Sequence, residues 1–411
     1  MSRDNVVLVS IDSIRADRCG YMGYDGGTTP TLNEMAAEGL SFTSAVAPGP
    51  RTPESMPPIF TGQFLSRNLP SKMVDQRALI SEHMGKRTTI AERFSQAGYH
   101  TVGITPNPFT SRYFGFDAGF DEFVDFLGDE SSGLYHHLFS RWLDGSTTSN
   151  TLRLARNMIL REEVFKPWEA YYDRVAETVR GDEEPYFLWV FLMDVHEPYL
   201  AGKGYRSQSW LDRWRAIWNL YLGDRESGFD EATRKQLLTA YDDSIRYADA
   251  FLARLLSDVG EDTIVAVHGD HGEAFGEHGY YSHEPYLYDE SIHVPLVVHG
   301  AGEGTVDRPT SLRTLPSLLT NRSRSSEFEG ADLAEARTAN GDTTTLRTQS
   351  TKYIEGNDGS ELYRLNRGEH AESENDDARR LYSQLVASRR EGTQERRRIQ
   401  DATATFEEPG P

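Results

Sequence analysis

Residues Asn5–Ile11 read NVVLVSI, an apolar run with no polar alternation. A strand of that kind must be covered on both faces, which places it inside a parallel sheet between two helical layers. Tyr186–Met193 (YFLWVFLM) and Thr263–Val267 (TIVAV) repeat the pattern, and Tyr99–Ile104 and His293–His299 are further strand candidates. Helical stretches lie between them. Thr28–Gly39 and Thr88–Gly98 each end at a glycine, Leu237–Leu256 has apolar residues at helical spacing, and Thr310–Leu319 reads as a helix. Ser41–Gly62 reads as a strand, a proline-rich turn and a short helix from near Thr52. Strands alternating with helices predict an α/β fold with a large, mostly parallel central sheet flanked by helices.

The ends of these strands carry polar residues: Asp12, Thr105, Asp194 and His268. In a parallel sheet all carboxyl ends share one edge, so such residues converge there. Asp12 alone reads equally well as a helix cap. The stretch that tips the balance is Val265–His283, VAVHGDHGEAFGEHGYYSH, where Asp270 and His271 follow the strand between glycines. A carboxylate beside an imidazole at that position suits a metal or a substrate. Thr52 and Ser55 are hydroxyls at a helix N-terminus, which favours an anion, although both also read as caps.

The chain has 411 residues and a net charge of −21. Its lysines are Lys72, Lys86, Lys166, Lys203, Lys235 and Lys352. Such a surface argues against a nucleic-acid partner. It fits a protein kept soluble in high salt, where screening removes self-repulsion. Cys19 is the sole cysteine, so an intrachain disulfide is excluded. The longest apolar stretch, Tyr186–Met193, is too short to cross a bilayer, and residues 1–4 lead directly into a strand. The expectation is a soluble cytoplasmic protein of unspecified oligomeric state.

The organisation expected is a catalytic α/β domain over 1–335 with a helical insertion at about 130–180. A C-terminal α+β subdomain follows over 336–390. In it, strands Thr345–Ile354 and Glu361–Leu365 flank the Asn357-Asp358-Gly359 turn, and a helix covers Glu374–Arg390. Phe114–Phe126 reads as aromatic loop packing, and the polar tail 391–411 as disordered.

From residue 5 to about 385 the chain resembles the sulfatase family of the alkaline-phosphatase-like superfamily. The likeness rests on VVLVSIDSIRAD, TPTLNEMAAEGLSFTSAVA, the segment ending Phe60-Thr61-Gly62, TIAERFSQAGYHTVGIT, DVHEPY, GDHGEAFGEHG, YDESIHVPLVVHG and LRTQSTKYIEG followed by ELYRL. It implies an alkaline-phosphatase-like sandwich and a divalent metal beside a nucleophile. By resemblance Asp12, Asp270 and His271 are metal ligands, and Thr52, nine residues before Thr61, occupies the nucleophile position and completes the ligand set. His196 resembles a contact to the transferring group or leaving oxygen. His283, with His278, resembles later substrate contacts. Arg51, Ser55 and Asn107 complete the candidate site.

The departures are informative. Ser13 stands where a second aspartate is common, Met56 where the signature arginine falls, and Glu54 at its proline; a Gly-Lys-x-His segment is missing. Sulfatases oxidise a Cys or Ser nucleophile to formylglycine, which threonine cannot form; a threonine nucleophile resembles related phosphodiesterases and phosphoglycerol transferases. The sequence therefore points to a metal-dependent hydrolase of sulfate or phosphate esters, glycan or small-molecule, acting through Thr52. A phosphodiesterase or phosphoglycerol-transferase-like enzyme is one alternative, and a degenerate anion- or glycan-binding protein another. One cation is expected. Mixed carboxylate and imidazole ligands suit Mn²⁺ or Zn²⁺; family resemblance keeps Ca²⁺ or Mg²⁺ open.

Overall fold

Alternate residues of β1 (Asn5–Ile11) enter opposite cores: Val7, Val9 and Ile11 on one face, Val6 and Leu8 on the other. In this computed structural model, which describes residues 4–126, 166–181, 185–223, 228–320, 330–338, 341–365 and 375–407, that strand is central to an eight-stranded sheet. The others are β2 (Leu40–Phe42), β3 (His100–Ile104), β4 (Glu122–Val124), β5 (Tyr186–Leu192), β6 (Thr263–Gly269), β7 (Leu296–His299) and β8 (Gly304–Val306). They lie in the order β8-β2-β7-β6-β1-β5-β3-β4. β7 runs antiparallel to β6 and β2, and the remaining pairs are parallel. The carboxyl ends of β1, β3, β5 and β6 therefore share one edge.

Two helical layers cover the sheet. One contains α1 (Pro30–Glu38), α5 (Tyr172–Val179), α6 (Trp210–Leu222) and α7 (Glu231–Asp258), and the other α2 (Thr52–Thr61), α3 (Met73–Gly85) and α4 (Ile90–Gln96). Burying each large apolar side chain contributes about 1.5–3 kcal/mol, so the doubly covered strands anchor the fold. α4 starts with a capping box between Thr89 and Glu92, and α2 ends at Gly62, whose φ of 76° suits the left-handed cap. Among the described residues no helix is long and apolar enough to cross a membrane.

Several elements differ from expectation. Phe114–Phe126 contains edge strand β4, whose three residues are too few for a periodic signal. Thr310–Ser311 is a short strand bonded to Ser44, so the expected helix begins after it and continues as Leu315–Thr320. Thr345–Ile354 is two strands, β10 (Thr344–Arg347) and β11 (Thr351–Gly356), preceded by β9 (Ala334–Arg337) and followed by β12 (Gly359–Arg364). The break follows from Thr348, whose hydroxyl accepts the backbone N–H of Thr351 at 3.0 Å and closes a turn. The four form a separate antiparallel sheet. α8 (Asp376–Glu407) continues past the expected stop near Arg390, so the tail is helical as far as Glu407, where disorder was expected. Residues 393–400 are rich in Gln, Glu and Arg, good helix formers, and the first proline after Arg390 is Pro409. Most of the expected insertion, 127–165, lies outside the described residues. Its far end does not: α5 buries Tyr172, Val175, Ala176 and Val179 against the sheet and belongs to the helical layer, as a connection leading into β5 must.

Candidate active site

β1 delivers Asp12 and β6 delivers Asp270 to the same edge. The register pairs Ile11 with Gly269, and the Asp270 N–H bonds back to the Ile11 carbonyl at 3.2 Å. Gly269 is required there, because a Cβ would lie 2.8 Å from the Ile14 carbonyl oxygen. Ser13 takes a left-handed φ of 58°, rare for a residue with a side chain. That conformation aims its N–H at Asp270 Oδ1, 3.2 Å away, while its hydroxyl donates to Asp12 Oδ1 at 2.8 Å. Position 13 thus orients both carboxylates instead of adding a third.

Asp12, Asp270 and His271 are fully buried, with one ligand atom from each within 4.8 Å of the others. His271 Nδ1 is 2.8 Å from the Gly272 carbonyl, so a neutral ring donates there and presents the Nε2 lone pair to the cluster. Nε2 is 3.5 Å from Asp12 and 3.7 Å from Asp270. Burial, and then the neighbouring Asp270 charge, push the Asp12 carboxyl well above its ordinary range. Two desolvated carboxylates facing an open imidazole nitrogen fit a divalent cation, which would remove that penalty.

Thr52 opens α2 and brings its hydroxyl into this cluster. Oγ1 donates to Asp270 Oδ2 at 2.9 Å and lies 3.4 Å from His271 Nε2. The helix N-terminus beneath it favours negative charge. Asn107, beyond β3, donates to Asp12 Oδ2 at 3.0 Å and also lines the cleft. That cleft, about 280 Å³, is further bounded by Arg51, Pro53, Ser71, Met73, Gln76, Pro108, Phe109, Met193, His196 and His283.

On the far side the His196 and His283 rings are 4.9 Å apart, and His283 is 5.4 Å from His271. His196 Nδ1 lies 2.6 Å from the Glu197 carbonyl, and burial, then His283, lower its pKa. His283 Nδ1 is 3.4 Å from Glu273 Oε1. Glu273 is fully buried, and that burial, with Glu197 nearby, raises its carboxyl to about 8. Arg51 reaches the cleft but pairs with buried Glu54 at 2.6 Å.

Two expected contacts are placed elsewhere. Ser55 neither caps α2 nor lines the cleft: its hydroxyl donates to the Asp270 carbonyl at 2.6 Å and braces the ligand loop. His278 pairs with Glu290 at 2.7 Å and stacks on Tyr288 with ring centroids 3.7 Å apart, so the carboxylate and ring hold it outside the cleft lining. Sequence reasoning overlooked Glu273 as a partner for His283, and Phe109, Met73 and Gln76 as cleft wall. The signal for Glu273 was its place two residues after His271; the wall residues come from segments without a motif.

The family model named Sulfatase matches residues 4–324. The arylsulfatase of Clostridium perfringens is 24% identical over 347 residues, covering 73% of this chain and 69% of that protein. The ulvan-active sulfatase of Formosa agariphila is 27% identical over 356 residues, covering 81% and 65% respectively. The chain thus spans about two thirds of each relative's length. Among solved structures, the phosphonate monoester hydrolase of Agrobacterium radiobacter superposes with a TM-score of 0.66 at 17% identity, covering 95% of this chain and 96% of that one. With a family match over most of its length and a buried Asp–Asp–His cluster at the carboxyl edge of its sheet, the chain belongs to the sulfatase family and is a sulfuric or phosphoric ester hydrolase.

Proposed function

We propose that this protein cleaves phosphate diesters or phosphonate esters through a covalent Thr52 ester, at a single divalent site held by Asp12, Asp270 and His271. The observation that carries the reading is the Thr52 hydroxyl, 2.9 Å from one ligand and 3.4 Å from another. When bound, Mn²⁺ or Zn²⁺ supplies positive charge that acidifies this hydroxyl and balances a non-bridging oxygen of the ester.

The chain's own groups then divide the work. Asp270 Oδ2 orients Oγ1 and takes the Thr52 proton as Oγ1 attacks. Thr52 attacks phosphorus in line, forming one P–O bond as the bond to the leaving alkoxide breaks. His283, supported at Nδ1 by Glu273, stands where it can protonate that alkoxide. Water next attacks phosphorus, giving its proton to the same imidazole, and Thr52 departs with its proton returned from Asp270. Arg51 and Asn107 line the space for the non-bridging oxygens. A threonine carbon bearing a methyl group cannot become an aldehyde, so release depends on direct hydrolysis of the ester and not on elimination from a hydrate. That requirement favours phosphorus over sulfur.

The test is a panel of aryl sulfate, phosphate monoester, phosphate diester and phosphonate ester, each with Mn²⁺ and Zn²⁺. The diester or phosphonate should be turned over fastest, and intact mass of quenched enzyme should show a phosphoryl adduct lost in Thr52→Ala. Fast aryl sulfate hydrolysis that survives Thr52→Ala would overturn the proposal.

A further inference from the structure

We infer that Arg15 is a positioning residue for the metal-ligand loop, a clasp that locks Asp270-His271 against Asp12; the inference rests on the metal site proposed above. Arg15 follows the β1 end by a few residues and is only 4% exposed. Its guanidinium makes four hydrogen bonds to oxygen atoms of two segments. Nε and Nη2 donate to the two Asp17 carboxylate oxygens at 2.8 and 2.7 Å. Nη1 donates to the Glu273 carbonyl at 3.0 Å and to Glu277 Oε1 at 2.6 Å. The first pair fixes the fork relative to its own segment, and the second reaches across to the loop that begins with the two ligands.

The loop is built to receive this arm. Glu277 Oε2 accepts the Phe275 N–H at 2.7 Å, so the carboxylate that meets Arg15 also closes the 273–277 turn. Gly272 lies against the Arg15 side chain, and its N–H bonds to the Ser291 carbonyl at 2.8 Å. A Cβ there would come within 3.3 Å of Arg15 Cγ and 2.0 Å of the Glu290 carbonyl oxygen, so only glycine allows the approach. The Arg15 N–H donates to the Tyr241 hydroxyl at 2.9 Å, and that hydroxyl donates to the Ser13 carbonyl at 2.7 Å. Arg15 is thereby tied to the strained residue that orients both metal carboxylates.

A lysine could match the charge but not the four directed bonds, because one ammonium cannot span both partners. Outer groups that orient metal ligands typically change affinity by about 10–100-fold when removed. Of these partners only Glu273 meets a cleft residue, His283, and the variants below leave it in place.

The experiment measures Zn²⁺ and Mn²⁺ affinity by competition with a chromophoric chelator, beside thermal unfolding of the metal-free protein. Variants are Arg15→Lys, Glu277→Gln and, on the exposed arm, Asp17→Asn. Glu277→Gln and Arg15→Lys should weaken metal binding about 10-fold or more, Asp17→Asn less, with kcat recovered to within about threefold at saturating metal. If Arg15→Lys fails to fold, Glu277→Gln alone decides, since it leaves the arginine and its Asp17 fork in place. Metal affinity unchanged in Glu277→Gln, with only a lower unfolding temperature, would reduce the clasp to general scaffolding. Failure of the metal site itself looks different: the unaltered protein would then bind no more metal than Asp270→Ala.

Discussion

The site has two halves of unlike construction. The ligand half, Asp12, Asp270, His271 and Thr52, sits directly on strand and helix ends, is buried, and has its polar atoms tied to one another or to backbone. The far half, Arg51, His196 and His283, comes from connecting segments and borders the cleft. Its contacts are more mixed, from 2.6 Å at His196 to 3.4 Å at His283. A scaffold that is doubly covered can hold groups to a fraction of an ångström, as catalysis by positioned charge demands. Loops allow the substrate-facing wall to vary without disturbing that geometry. On the function proposed above, the reaction lies in one half and the ester fits in the other.

Disrupting the ligand half should have the largest effect. Thr52→Ala should cut turnover by at least about 10³-fold while retaining bound metal, and Asp270→Ala should do the same with the metal lost. Rates on the preferred ester, with metal content by mass spectrometry of the purified variants, separate the two. If Asp270→Ala keeps stoichiometric metal at this loop, the ligand assignment is wrong.

The far half should respond more gently and in a substrate-dependent way. His283→Ala should slow esters with alkoxide leaving groups by about 10²-fold, the usual worth of a general acid. Esters of nitrophenol, whose leaving group needs no proton, should lose much less. Glu273→Gln should show the same pattern in weaker form if the Glu273 side chain orients His283. Equal losses on both kinds of ester would remove His283 from protonation and leave it a binding residue.

This division also explains what the sequence could disclose. That Asp12, Asp270 and His271 meet at one edge was legible because the runs leading to them read as inner strands; their reading as ligands came from the family likeness. Family spacing to Thr61-Gly62 singled out Thr52, whose hydroxyl the structure places beside Asp270 and His271. Ser55 and His278 misled, because a polar residue near a motif does not announce which way a local hydrogen bond will turn it. The wall residues Phe109, Met73 and Gln76 meet only through packing of distant segments. β4 and β9 escaped notice because three or four residues carry too little periodicity, and their pairing partners, not their composition, make them strands.

Histidines outside both halves supply the smallest test, by showing what burial does to an imidazole that no ligand chemistry requires. His83 is 2% exposed; its Nε2 lies 2.9 Å from the Thr61 hydroxyl, and its Nδ1 has no hydrogen-bond partner among the described residues. Burial first, and then Arg87, lower its pKa to about 3. His293, placed beside Arg347 and bonded to the Thr43 carbonyl, is lowered to about 4 by burial first. Between those values and the ordinary pKa near 6.5 the unfolded chain binds the proton and the folded one does not. Their contribution is therefore complete above about pH 6.5 and is lost as pH falls toward 4. For His83 the loss at pH 5 is about 2 kcal/mol. Asp12 and Glu273, raised by burial, act in the opposite direction, so what is compared between the unaltered protein and the variant is the gap in urea midpoint, pH 7.5 minus pH 5. In His83→Gln that gap should shrink by His83's share, even if the variant is less stable at both pH values. A gap of unchanged size would mean that His83 takes up its proton in the folded protein, which would require the Arg87 side chain and the Nδ1 environment to rearrange.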